Sequence, residues 1–210
     1  MDIKYQVFIS STYDDLIDER LAVIQCLLDN DCIPVGMEQF HGVPVSQWDY
    51  ITKMLDTSDY CVLILAGKYG SLADTSEGIS YTEKEFDYAV AKNIPVIRLL
   101  CRDLDSLNKR QYERDSDKEE KLLSFRAKVM NNALVNFYED LDDLKFKVVT
   151  AINKAIKYRP RPGWIRRDSI DDDEHITEED VTKIFQKELE SHVAKDKEID
   201  VMLDETFGKK

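Results

Sequence analysis

Seven consecutive residues, Tyr60-Cys61-Val62-Leu63-Ile64-Leu65-Ala66, limit the fold of this chain more than any other stretch. Every position is apolar, so the run lacks the alternation of a strand with one wet face. A strand of this kind has to be covered on both faces, as in a parallel sheet between helix layers. Residues 5–9, 32–37, 94–100 and 133–137 are further short apolar runs of strand length. Between them the period changes to three and four. Leu16, Leu21, Val23, Ile24, Leu27 and Leu28 mark a helix over 14–30, and Trp48, Ile51, Met54 and Leu55 mark another over 46–56. Residues 118–130 and 140–157 also read as helices. Strands alternating with helices at this spacing predict βαβ units, hence an α/β fold whose parallel five-stranded sheet carries helices on both faces.

The stretch 78–89 is the expected centre of function. Ser80 with Glu83 three residues later fits a capping box, so a helix starts here after a loop over 67–78. Thr82, Phe86, Ala89 and Val90 share one side and face the sheet. Glu83 and Glu85 lie on opposite flanks of that stripe, roughly 200° apart at about 100° per residue. They cannot point into one cleft. Glu83 is occupied by the cap, which leaves Glu85 just past the carboxyl end of a parallel strand, where ligands bind. On position alone, Glu85 is either that ligand-facing carboxylate or a solvated helix residue. Gly67-Lys68-Tyr69-Gly70-Ser71 could let the backbone approach a ligand, or simply make a turn.

Charge and composition narrow the partners. The net charge is −13, and residues 168–210 alone hold 15 acidic and 6 basic side chains. This balance argues against nucleic acid, since phosphate binding wants a basic face. No apolar run approaches the ~20 residues of a membrane span. The N-terminus lacks the basic and apolar regions of a secretion signal. Cys26, Cys32, Cys61 and Cys101 show no disulfide or metal spacing, and His41, His175 and His192 lie far apart, so a cytoplasmic protein without a bound metal is expected. No dinucleotide or Walker glycine pattern is present, and no resident cofactor is implied. Arg159-Pro160-Arg161-Pro162-Gly163 breaks helix chemistry. It sets expected units at 1–157, an α/β domain; 158–176, a Pro/Arg-rich and acidic linker whose arginines either stay solvated, with Trp164 docked on the domain, or grip a phosphate or an acidic partner; and 177–210, an acidic tail with an amphipathic helix. The tail's stripe of Val181, Ile184, Phe185 and Leu189 must cover something, whether this domain, another copy or a partner.

A more specific pattern runs from Val7-Phe8-Ile9-Ser10-Ser11-Thr12-Tyr13-Asp14-Asp15-Leu16 through Glu19-Arg20 to Pro34-Val35-Gly36-Met37-Glu38-Gln39-Phe40. With Ser58-Asp59-Tyr60, Lys68-Tyr69-Gly70-Ser71 and Tyr81-Thr82-Glu83-Lys84-Glu85, it resembles the family called domain of unknown function 4062 over about residues 4–101. That family is similar to Toll/interleukin-1 receptor (TIR) domains and, more distantly, to nucleoside deoxyribosyltransferases. The resemblance implies a flavodoxin-like, TIR-like sheet and, in many bacterial relatives, antiphage defence. It also implies cleavage of the nicotinamide–ribose bond of NAD, or of a related nucleotide, by a glutamate on the helix after the third strand. Glu85 followed by Ala89 matches the glutamate–alanine spacing of the deoxyribosyltransferases. The tryptophan–cysteine pair that precedes the TIR glutamate is replaced here by Thr82, Glu83 and Lys84.

Glu85 is therefore the expected catalytic residue. Ser10, Ser11 and Tyr13 are expected to hold phosphate or ribose hydroxyls, with Gly70 allowing close approach. Phe40, Tyr69 and Tyr81 either stack on the base or pack in the core. Two functions compete: a nucleotide N-glycosidase in defence or stress signalling, and a non-catalytic or nucleotide-sensing module that self-assembles and engages a partner protein. A homo-oligomer is expected in either case.

Overall fold

A computed structural model describes residues 3–36, 46–73, 78–105, 107–131 and 133–166. The apolar run forms β4 (Tyr60–Leu65), buried at every position. It lies in the middle of a five-stranded parallel sheet with β2 (Gln6–Ser10), β3 (Ile33–Gly36), β5 (Val96–Cys101) and β6 (Asn136–Tyr138), in the order β3-β2-β4-β5-β6. The helices are α1 (Ile17–Asp29), α2 (Gln47–Asp56), α3 (Tyr81–Ala91), α4 (Ser116–Met130) and α5 (Leu141–Tyr158).

The lack of alternation in the apolar strands has a direct physical cause. Val7, Ile9, Tyr60, Val62 and Ile64 face α1 and α5, where they pack with Val23, Leu27, Leu144, Val148 and Ile152. The intervening residues face the opposite layer. Phe8 and Cys61 pack with Ile51, Leu55 and Ala89 of α2 and α3, and Leu63 and Leu65 with Phe86, Leu122 and Phe125 of α3 and α4. Each such apolar side chain contributes about 1.5–3 kcal/mol on full burial. Helix starts follow local chemistry. The side chains of Ser46, Ser80, Asp115 and Asp140 each accept a backbone N–H from the first turn of the helix that follows.

The folded unit extends to Ile165, past the boundary expected at 157. β1 (Ile3–Lys4) and β7 (Trp164–Ile165) pair antiparallel, which periodicity could not reveal in two-residue strands. Asp59 fastens this clasp: one carboxylate oxygen accepts the N–H of Gln6 at 3.0 Å, the other the N–H of Gly163 at 3.0 Å. The Tyr60 hydroxyl donates to the Arg159 carbonyl at 2.9 Å. Residues 159–165 are thus held by named partners, and residues from 167 onward, with the expected tail helix, lie outside the described residues.

Asp59→Ala should lower stability by about 1–3 kcal/mol, because it leaves two part-buried N–H donors without their acceptor. Asp59→Asn, which keeps one acceptor oxygen, should fall between. Urea melts read the difference; an Ala variant as stable as the parent would mean that Asp59 does not hold the clasp.

Candidate functional site

The strand order reverses around β2. The chain leaves β2 into α1 on one face of the sheet and leaves β4 into α3 on the other. The carboxyl ends of β2 and β4 therefore border a crevice, the usual ligand position in an open α/β sheet. A cleft of about 800 Å³ opens there. Its walls come from the segment after β2, the segment after β4, the first turns of α3, and the connection between β5 and α4.

The entry to α3 departs from the reciprocal capping box. Ser80 Oγ accepts the Glu83 N–H at 3.2 Å, as expected. The Glu83 carboxylate, however, accepts from the Tyr69 hydroxyl at 2.5 Å and from Lys128 Nζ at 2.9 Å. The Ser80 N–H donates to the Tyr69 hydroxyl at 3.2 Å. Tyr69 thus relays the cap, and its ring is buried edge-on against Phe125. This places Tyr69 in the structural layer behind the cleft and not among residues that could stack on a base. Glu83 borders a second recess beside Lys121, whereas Glu85 borders the main cleft. The two carboxylates diverge as their spacing requires.

Glu85 is only 3% exposed, yet it reaches the cleft wall. Ser10, fully buried at the end of β2, donates its hydroxyl to Glu85 Oε2 at 2.5 Å. Removal from water disfavours the carboxylate and pushes its pKa up to about 7, while the Ser10 hydrogen bond and the positive charge of Arg20 act in the opposite direction. The Cys61 thiol, buried beneath the same carboxylate, is also pushed up by burial and by the Glu85 charge. A carboxyl with a raised pKa at a cleft wall has the chemistry to act as an acid, base or charge stabiliser.

Arg20 organises the floor. It is 1% exposed, donates to the Ser11 hydroxyl at 2.8 Å and the Ile9 carbonyl at 3.4 Å, and lies 5.7 Å from the Tyr13 ring centroid. Ser11 in turn donates to the Thr12 carbonyl at 2.6 Å. The Ser10 and Ser11 hydroxyls therefore already have partners in the carboxylate and its counter-charge, and Ser11 also lines the cleft. Tyr13, Gly70 and Tyr81 do line the cleft. Gly70 adopts φ +92°, and an added Cβ would come 2.8 Å from the Thr12 methyl, so glycine is needed where this wall closes. Phe40 lies outside the described residues.

Sequence reasoning passed over two residues at this cleft. Arg20 occupies the apolar stripe of α1, four residues from Leu16 and three from Val23, and a charge inside such a stripe was the available signal. Asp15, 8% exposed, lines the cleft; burial raises its pKa, while a hydrogen bond from Thr12 and the charge of Lys68 oppose the rise. Its Oδ2 is buried and has no hydrogen-bond partner among the described residues. Among the described residues no group of His, Cys, Asp or Glu is arranged to hold a metal, and no helix is long and apolar enough to cross a membrane.

The family model described as Domain of unknown function (DUF4062) matches residues 6–153. No curated protein matches the chain. Among solved structures, a similar chain comes from the structure of the activated Roq1 resistosome directly recognizing the pathogen effector XopQ, in its TIR domains. It is 12% identical, the match covers 71% of this chain and 84% of that chain, and the TM-score is 0.39.

Proposed function

This chain belongs to the DUF4062 family, and we propose that it hydrolyses the N-glycosidic bond of a nucleotide, NAD or a relative, with Glu85 as the catalytic carboxylate. One observation carries this reading: a buried carboxyl, held by Ser10 and balanced by Arg20, opens onto the cleft at the strand-order reversal. When the bond from ribose C1′ to the base nitrogen breaks, its electron pair leaves with the base and C1′ becomes cationic. A carboxylate beside C1′ stabilises that charge. Water then adds its oxygen to C1′ and releases one proton, which Glu85 or solvent accepts. A positively charged nicotinamide departs neutral and needs no acid. Tyr13 or Tyr81, which line the cleft, are suited to cover the base. In the cell the proposed setting is the cytoplasm, in the defence or stress signalling that the family resemblance implies.

A second reading, a self-assembling module that engages a partner without catalysis, draws on the small opening of Glu85, which is only 3% exposed and already hydrogen-bonded. Incubating the full-length protein with a panel of nucleotides, followed by mass spectrometry, separates the two. Release of a free base supports the hydrolase; an unchanged panel across protein concentrations that span assembly supports the module.

The pH profile is a second check. Ionised Glu85 is the active form, and its pKa lies at about 7. kcat/KM should therefore rise about tenfold per pH unit below that value and level off above it. A flat profile from pH 5 to 8 would exclude Glu85 as the essential anion.

A further inference from the structure

The connection between β5 and α4 places an unexpected charge distribution at the cleft mouth. Lys109, Arg110 and Arg114 line the cleft with Lys68 and Lys118, alongside four carboxylates, Asp14, Asp15, Glu85 and Glu113. All three from the connection are exposed. Among the described residues no ion pair closes on their side chains, although the chain carries a net charge of −13 and offers carboxylates in excess.

The connection is also anchored, so the cations have a defined position. The Glu113 N–H donates to the Gly67 carbonyl at 2.8 Å, and the Glu113 carboxylate accepts the Tyr69 N–H at 3.3 Å. Gln111 Nε2 donates to Glu19 at 2.8 Å. Gln111 and Glu113 thus tie the segment to α1 and to the stretch after β4, while their exposed neighbours Arg110 and Arg114 line the cleft. A fixed backbone removes much of the ordering cost that a loose basic loop would incur on binding.

We infer that the ligand of this cleft carries a chain of at least two phosphates, held by Arg110 and Arg114 with help from Lys109. Guanidinium groups match phosphate oxygens through paired N–H donors, whereas a carboxylic or neutral sugar ligand would leave three cations unmatched. The inference rests on the proposed reading of the cleft as a nucleotide site and narrows it: a nucleoside diphosphate or a dinucleotide with a pyrophosphate bridge fits, and a nucleoside or a monophosphate fits poorly. The phosphate subsite accordingly lies at 109–114 and not at Ser10 and Ser11.

Calorimetric titration of the full-length protein with adenosine, AMP, ADP and inorganic pyrophosphate tests the inference. ADP and pyrophosphate should bind, with ADP at least about tenfold tighter than AMP, as expected for one added charge-assisted contact. Arg110→Ala with Arg114→Ala should weaken ADP by about 100-fold and leave adenosine unchanged. Lys154→Ala, an exposed cation on α5, should have no effect on either. ADP binding should also weaken as salt is raised. Equal affinities across the four probes, or ADP binding that survives loss of both arginines, would overturn the inference. Failure of the hydrolase reading has a different signature: ADP binding as described, with no base released from any nucleotide. Release of base from nucleosides, indifferent to both arginines, would instead keep the hydrolase and remove the polyphosphate subsite.

Discussion

Glu85→Gln is expected to lose base release by about 10²-fold or more while gaining stability at alkaline pH. The first effect follows from removing the carboxylate proposed to stabilise the ribose cation, with shape and helix propensity kept. The second follows from linkage. The folded-state pKa of Glu85, about 7, lies above its ordinary value of 4.5, so the folded protein holds this proton more tightly than the unfolded chain. The Glu85 contribution to parent stability should therefore be greatest below pH 4.5, decline as pH rises to about 7, and stay level beyond it. Gln does not titrate. The gap between variant and parent should open across that window and reach on the order of 3 kcal/mol at pH 8. Thermal melts at pH 4.5 and pH 8, paired with base-release assays, read both effects. A variant that is inactive yet never more stable would show that Glu85 is not held at a cost. Glu83→Gln supplies the contrast. It weakens the contact with the half-exposed Lys128 but still accepts from Tyr69, so activity should persist with only a small loss of stability. The opposite outcome would move the site to the other flank of α3.

Much of the scaffold was legible because its causes are periodic. An unbroken apolar strand, four helices at three- and four-residue steps and the Ser80 cap each leave a local trace, and all reappear as β4, α1, α2, α4, α5 and the start of α3. The divergence of Glu83 and Glu85 was legible for the same reason. What stayed hidden depends on contacts between distant segments. Asp59 binds a residue more than a hundred positions away, and no local pattern shows that. Tyr69 looks like any loop aromatic until its hydroxyl is placed between Ser80 and Glu83. The segment 109–114 has neither period nor motif, and its basic residues gain meaning only where Gln111 and Glu113 tie it down. Arg20 was the readable exception. A charge in the buried stripe of a helix signals an internal partner.

That partnership carries the largest expected loss of stability. Arg20→Met should destabilise the protein by about 2–4 kcal/mol at pH 8, since it leaves two buried acceptors without their donor and removes a nearby positive charge. The Ser11 hydroxyl and the Ile9 carbonyl lose a donor, and Glu85 loses the positive charge that favours its ionised form. The loss should shrink at pH 5, where Glu85 is protonated and needs no counter-charge. Arg20 touches no expected ligand, so its role is positioning, and the pH profile separates that role from simple packing. Without Arg20, the pKa of Glu85 should rise further and carry the ascending limb of kcat/KM to higher pH. Arg20→Lys should restore part of that shift, since it returns the charge without the two-donor geometry. Combining Arg20→Met with Glu85→Gln should cost less than the two changes predict separately, with a coupling of about 0.5–3 kcal/mol. Strict additivity together with an unmoved pH limb would reduce Arg20 to a packing residue and leave the Ser10 hydroxyl as the main support of the Glu85 carboxylate.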